Sequence, residues 1–188
     1  MVLVDASVPD QPARFASVSA ELAAENVANT ARSTALQRAC AAALEANTLK
    51  PDQPMWTTCF SYFPTFSPRL VAMLTQLDSS IPARLRTQAS LAEQFGPSAE
   101  AVVNRSRDYG DLPLVVLTQG KSLPVPGGSP AQVAALTAGW RQWHDDYARL
   151  SAQGVNLIVQ ESGHNIQQDK PQAVIGAIVS VLDMAAMK

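Results

Sequence analysis

The sequence predicts an α/β protein: a short parallel sheet of about three strands, with a large helical insertion between the first two. Three observations carry this reading. Short runs rich in β-branched and aliphatic residues stand at Val2 to Asp5, Leu114 to Leu117 and Asn156 to Val159. Helical patterns alternate with them, as expected of parallel strands joined by crossovers. Asp5 and Leu114 lie roughly a hundred residues apart, too far for an ordinary crossover, so the interval must hold helices of its own.

The first strand, Val2-Leu3-Val4, is a continuous apolar run, as suits a strand buried on both faces. Its open edge is a template for other chains, and a homo-oligomer covering it is expected. Residues 13 to 108 read as the helical insertion, within a single domain spanning residues 1 to 188. Residues 13 to 47 are rich in Ala, Leu, Glu and Gln and form one or two helices. Pro68, Pro82 and Pro97 then mark further helix starts, since proline is tolerated in a first turn. Met55, Trp56, Phe60, Tyr62, Phe63 and Phe66 make the densest aromatic cluster of the chain. Core packing is one reading of it, and the lining of an apolar small-molecule site by Trp56, Phe60, Phe63 and Phe66 is the other.

Beyond the second strand, Val133, Leu136, Trp140, Trp143, Tyr147 and Leu150 recur at helical spacing and predict a buried face. His144 lies beside that stripe and reads as structural. Asp145 and Asp146 are adjacent, hence about 100° apart around the helix axis, and do not make a facing carboxylate pair. Gly154 opens the third strand. After it, Asp169 and Gln172 resemble a capping box, with Pro171 in the first turn of a last helix. That helix is expected to bury Val174, Ala177, Ile178, Val181, Leu182 and Ala185.

Composition narrows the function. The chain has 188 residues, 47% hydrophobic and 16% charged, enough for one ordinary core. A formal charge of -2, with Lys and Arg scattered singly, offers no basic stripe for nucleic acid. No apolar run is long enough for a membrane span, and residues 1 to 20 lack the pattern of a signal peptide. Cys40 and Cys59 flank a Pro-containing turn at residues 50 to 54. The high burial of free cysteine favours two separate thiols. A disulfide is the alternative and would imply an oxidising compartment; without it a cytoplasmic protein is equally in order. No pair of Cys or His stands at metal-ligand spacing, and no cofactor motif is present.

The segment Glu161-Ser162-Gly163-His164-Asn165-Ile166-Gln167-Gln168-Asp169-Lys170-Pro171 places a histidine between a strand and a helix, beyond the carboxyl end of the strand. Open α/β sheets bind ligands and hold reactive groups there. This stretch resembles the histidine loop that closes the chain of α/β-hydrolases, whose triad runs nucleophile, acid, histidine. Residues 1 to 11 resemble the sixth strand of that family and its exit, and Leu114 to Thr118 the seventh. The segment from Trp140 to Ser151 is similar to the helix before the eighth strand in the esterase-like branch. The resemblance implies a partial α/β-hydrolase fold whose insertion is a helical cap, and a carboxylesterase or lactonase acting on a small ester-like substrate. No G-x-S-x-G motif occurs, so the chain reads as the C-terminal half, with the serine outside it.

His164 then requires a buried carboxylate to fix its tautomer and stabilise the imidazolium. The usual place, after the seventh strand, reads Thr118-Gln119-Gly120-Lys121-Ser122 without one. Some relatives place the acid after the sixth strand, where Asp5 stands here; Asp10 is the reserve. Asn165 is expected to brace the loop through side-chain bonds to backbone. Ser162 lacks the strained turn that exposes a nucleophile and reads as a turn residue. The alternative function is a non-catalytic, hydrolase-derived domain that binds a small apolar ligand or a protein.

Overall fold

The computed structural model describes residues 1–62, 66–101, 104 and 107–187. Three parallel strands form one sheet in the order β1 (Val2–Val4), β2 (Leu114–Gln119) and β3 (Gly154–Val159). Val2 pairs with Val115 and Val4 with Leu117, while Leu114 pairs with Gly154 and Gln119 with Val159. The α/β class, the three strands and their parallel order agree with the sequence pattern. The second strand runs two residues further than its aliphatic core, because Thr118 and Gln119 stay paired with Ile158 and Val159.

Every residue of β2 is buried, as the central strand of a sheet covered on both faces requires. Alternation sorts its side chains. Val115 and Leu117 pack with Val2, Val4 and Val159 against Ile166, Val174, Ala177 and Val181 of the last two helices, α7 (Ile166–Asp169) and α8 (Pro171–Ala186). Leu114 and Val116 face the other way, with Leu3, Tyr109 and Ala148 of α6 (Pro130–Ala148). α6 starts at a capping box in which Ser129 and Gln132 satisfy each other's backbone N–H groups. Its predicted stripe forms the core: Leu136, Trp140 and Trp143 are buried with Val8, and Tyr147 packs beside them.

The chain divides into two compact units, Met1–Ala23 with Ala99–Lys188, and Ala24–Ser98. The helical unit is thus narrower than residues 13 to 108. Phe15 and Val18 of α1 (Gln11–Val18) pack with Trp140 and Trp143, which ties α1 to the sheet unit. A single extended residue, Ser19, separates α1 from α2 (Ala20–Glu45).

The helical unit holds most of α2, then α3 (Pro54–Cys59), α4 (Pro68–Ser80) and most of α5 (Ala83–Ala101). Pro97 does not open a helix of its own; it lies inside α5. A proline so near a helix end removes one backbone bond and leaves the earlier turns intact. Cys40, Ala41 and Leu85 form the core, with Leu36, Leu44 and Cys59 against them. Here the preferred reading of the cysteines fails: Cys40 and Cys59 are joined in a disulfide, their Cα atoms 5.8 Å apart. The turn at residues 50–54 folds α3 back on α2 and brings the two sulfurs together, which sequence spacing alone does not report. Buried Asp78 accepts from Tyr62 (3.0 Å) and from Arg84 (2.8 Å).

The last helix departs from expectation at both its start and its buried face. Lys170, not Asp169, is its N-cap, and a lysine side chain has no acceptor to make a cap bond; the Asp169 carboxylate accepts from Gly163 instead. Val174, Ala177, Val181 and Met184 face the sheet, while Ile178 and Leu182 are exposed.

Candidate functional site

Asp5 follows β1 directly, and its backbone turns into the left-handed region at φ 41°. Asp tolerates that region better than most residues, yet surrounding bonds must hold it there. Its N–H donates to the Leu117 carbonyl at 2.7 Å, which extends the β1–β2 ladder by one residue and sets the carboxylate at the sheet's carboxyl end. The carboxylate is wholly buried. Oδ1 accepts from the Gln119 backbone N–H and from the Trp140 indole N–H, both at 2.9 Å. Oδ2 meets His164 Nδ1 at 2.8 Å. A buried carboxylate is tolerated when its oxygens are hydrogen-bonded, and three contacts meet those of Asp5.

The loop that carries His164 leaves β3 through Glu161, a second non-glycine residue in the left-handed region, at φ 60°. Ser162 is fully buried, and its hydroxyl donates to the Val159 carbonyl at 2.7 Å. The Ser162 carbonyl in turn accepts from the Lys121 N–H at 3.0 Å, joining this loop to the one after β2. Gly120 permits that junction: a Cβ there would stand 2.5 Å from the Val159 carbonyl oxygen. Asp169 closes the loop from the other side by accepting the Gly163 N–H at 2.7 Å. The Asn165 side chain makes no cap bond at the start of α7; the residue's backbone carbonyl accepts from the Gln168 and Asp169 N–H groups instead.

His164 is thus held at Nδ1 and open elsewhere. Its side chain is 68% exposed, and among the described residues no hydrogen bond involves Nε2. Since a carboxylate only accepts, the pairing puts a proton on Nδ1 and leaves Nε2 as the basic lone pair.

The other expected residues fall as follows. Asp10 stands at the start of α1, where its carbonyl accepts from the Arg14 N–H. Phe60 is buried and its ring lies 4.5 Å from that of Trp56, a core-packing arrangement within the helical unit. Phe66 is partly buried, and Phe63 lies outside the described residues. Among the described residues no cluster of three His, Cys, Asp or Glu could hold a metal ion, and no helix is long and apolar enough to cross a membrane.

Comparison with protein families, with curated proteins and with solved structures gives no match to this chain. The site therefore rests on its geometry.

Three contributors carry no signal of their role in the sequence. Trp140 belongs to a stripe whose spacing says only that it is buried, and its indole N–H on Asp5 depends on where α6 crosses the sheet. The Gln119 N–H is a backbone group with no side-chain signal. Asp169 looked like a helix cap, and its six-residue reach back to Gly163 is a property of the folded loop.

Proposed function

We propose that Asp5 and His164 form the orienting acid and general base of an ester-type hydrolase, of carboxylesterase or lactonase kind, within a partial α/β-hydrolase fold. The observation that carries this reading is the 2.8 Å bond from His164 Nδ1 to a carboxylate that is itself buried and held by two further donors. A base so oriented presents Nε2 to a hydroxyl, takes its proton as the hydroxyl attacks an ester carbonyl, and returns it to the leaving alcohol. The Asp5 charge stabilises the imidazolium in between. In this reading the nucleophile is a serine supplied by polypeptide other than these 188 residues. Ser162 is excluded from that role, since it is fully buried and its hydroxyl donates to Val159.

The test uses the chain as it stands with p-nitrophenyl acetate, an ester activated enough for a histidine to attack directly. Slow release of p-nitrophenol that disappears in His164→Ala and falls in Asp5→Asn is the expected result. A serine-directed phosphonate should leave the chain unlabelled. Release indifferent to His164, or labelling of a serine within residues 1 to 188, would overturn the reading.

The second reading, a non-catalytic domain that binds a protein partner, is favoured by one observation. Val155 and Leu157 of edge strand β3 and Ile175, Ile178, Val179 and Leu182 of α8 are all 45% exposed or more. The first-strand edge, by contrast, is half-buried. Large exposed apolar patches mark interaction sites. Light scattering and exposed-patch dye binding separate the cases: a clean 20.0 kDa monomer that binds no dye counts against this reading.

A further inference from the structure

His144 is 1% exposed, and both of its ring nitrogens are engaged. Nε2 lies 2.8 Å from the Ala6 carbonyl and Nδ1 lies 2.7 Å from Thr118 Oγ1. The ring also packs edge-on to Trp140, with centroids 4.6 Å apart. Residues 140 and 144 are one helical turn apart, so they share a face of α6. Trp140 reaches the Asp5 carboxylate from that face, and His144 reaches the backbone one residue further on.

We propose that His144 is a positioning residue for the Asp5–His164 pair. By donating Nε2–H to the Ala6 carbonyl, it holds the left-handed turn that aims the Asp5 carboxylate at His164. The inference rests on the reading that these two residues are the working pair. Asp5 is fixed on its N-terminal side by the ladder bond to Leu117. On its C-terminal side the chain leaves the sheet, and His144 supplies the anchor. A side chain in a sparsely populated backbone region persists only when neighbours over-determine it, and this bond is one of those constraints.

The proton assignment follows from hydrogen-bonding capacity. A carbonyl only accepts, so Nε2 must carry hydrogen. Nδ1 then faces the Thr118 hydroxyl, whose single hydrogen lies between that nitrogen and Asn156 Oδ1, 2.7 Å and 2.6 Å from the oxygen. Asn156 is oriented in turn by its amide, which donates to Asp145 Oδ1 at 2.8 Å. Side chains on α6, β2 and β3 thus surround the His144 ring, and the Ala6 carbonyl claims the hydrogen on Nε2. The titratable groups that act on the ring are Asp5, with Oδ1 3.9 Å from Nδ1, together with Asp145 and His164.

The experiment reads imidazole tautomers by long-range proton–nitrogen NMR at about pH 9. The chain has two histidines, so each signal is assigned by the loss of the other. In the parent, His164 should be the Nδ1–H tautomer, because Asp5 claims that nitrogen. His144→Phe keeps a buried ring and loses the donor; in it His164 should revert to the Nε2–H form preferred by free imidazole. His144→Gln keeps an amide donor and should retain the Nδ1–H form at His164.

A merely structural role would lower the melting temperature of His144→Phe without changing the His164 tautomer, and that result overturns the proposal. Should His144→Phe fail to fold, His164→Gln answers the question alone: His144 must then show hydrogen on Nε2, and hydrogen on Nδ1 only would sink the idea. These signals do not depend on ester turnover. An absence of esterase chemistry would reject the hydrolase reading and leave the tautomer result standing.

Discussion

Trp140 and His164 meet opposite oxygens of one carboxylate: the indole N–H donates to Asp5 Oδ1 at 2.9 Å, while His164 Nδ1 lies 2.8 Å from Oδ2. The two contacts define the plane and rotation of the acid. Trp140→Phe removes the first and keeps most of the packing. A hydrogen bond to a charged group contributes about 2 kcal/mol. We expect a stability loss of that order in urea unfolding, and His164-dependent p-nitrophenol release reduced about tenfold or less, because the Gln119 N–H still holds Oδ1.

Asp5→Asn is the more severe change at the pair itself. An amide placed by the same donors would turn either its oxygen or its nitrogen toward His164, and in neither case stabilise an imidazolium. His164-dependent release should fall at least about tenfold, while the circular dichroism spectrum stays native. Equal rates in the two proteins would show that His164 acts without its acid.

The sheet was legible because its signal is local. Val2 to Val4, Leu114 to Leu117 and Asn156 to Val159 are short aliphatic runs bounded by polar residues, and a helical pattern between them leaves few arrangements other than parallel. His164 and Asp5 were legible from their positions just past strand ends, where a parallel sheet gathers its loops. What sequence could not supply is whatever depends on distance in space. The Cys40–Cys59 bridge, the Trp140 bond to Asp5 and the loop closure by Asp169 each join residues whose separation in sequence carries no trace of the contact. The true capping box, Ser129 with Gln132, and the false one, Asp169 with Gln172, have the same spacing; in the fold Asp169 ends α7 and its carboxylate accepts from Gly163.

The disulfide offers a test of the helical unit by itself. It closes a loop of 19 residues between α2 and α3. Constraining a loop of that size in the unfolded chain is worth about 3 kcal/mol. Reduction, or the double change Cys40→Ala and Cys59→Ala, should lower the midpoint of the transition reported by Trp56 fluorescence in a Trp140→Phe, Trp143→Phe background. A midpoint unchanged by reductant would show that the packing of Leu36, Leu44 and Leu85 holds this unit without the bridge.

Tyr62 gives that unit a second readout. Burial, and then its bond to the Asp78 carboxylate, push its phenol up to about 12. A tyrosinate there would lose the hydrogen it donates and face a carboxylate directly. Ultraviolet titration of the parent against Tyr62→Phe should place the difference signal well above the ordinary tyrosine range. Asp78→Asn should bring that signal down, since it removes the charge and leaves burial opposed by Thr75 and Arg84.

The last expectation concerns acid. Burial lowers the His144 pKa below its ordinary value, against the opposing pulls of the Ala6 carbonyl, Asp5 and Asp145 and with the help of His164. The unfolded chain, titrating near the usual value of about 6.5, then binds more protons than the folded one just below that pH. The contribution of neutral His144 to stability is therefore complete above about pH 6.5 and is lost progressively as the pH falls toward the depressed folded value. Urea unfolding at a series of pH values, parent minus His144→Gln, isolates this term, because the remaining groups are common to both. The difference should shrink as the pH falls below about 6.5 and level off once the folded histidine is protonated. A difference that grows with acidification would mean that folding raises the proton affinity of His144, and that the carboxylates of Asp5 and Asp145 outweigh its burial.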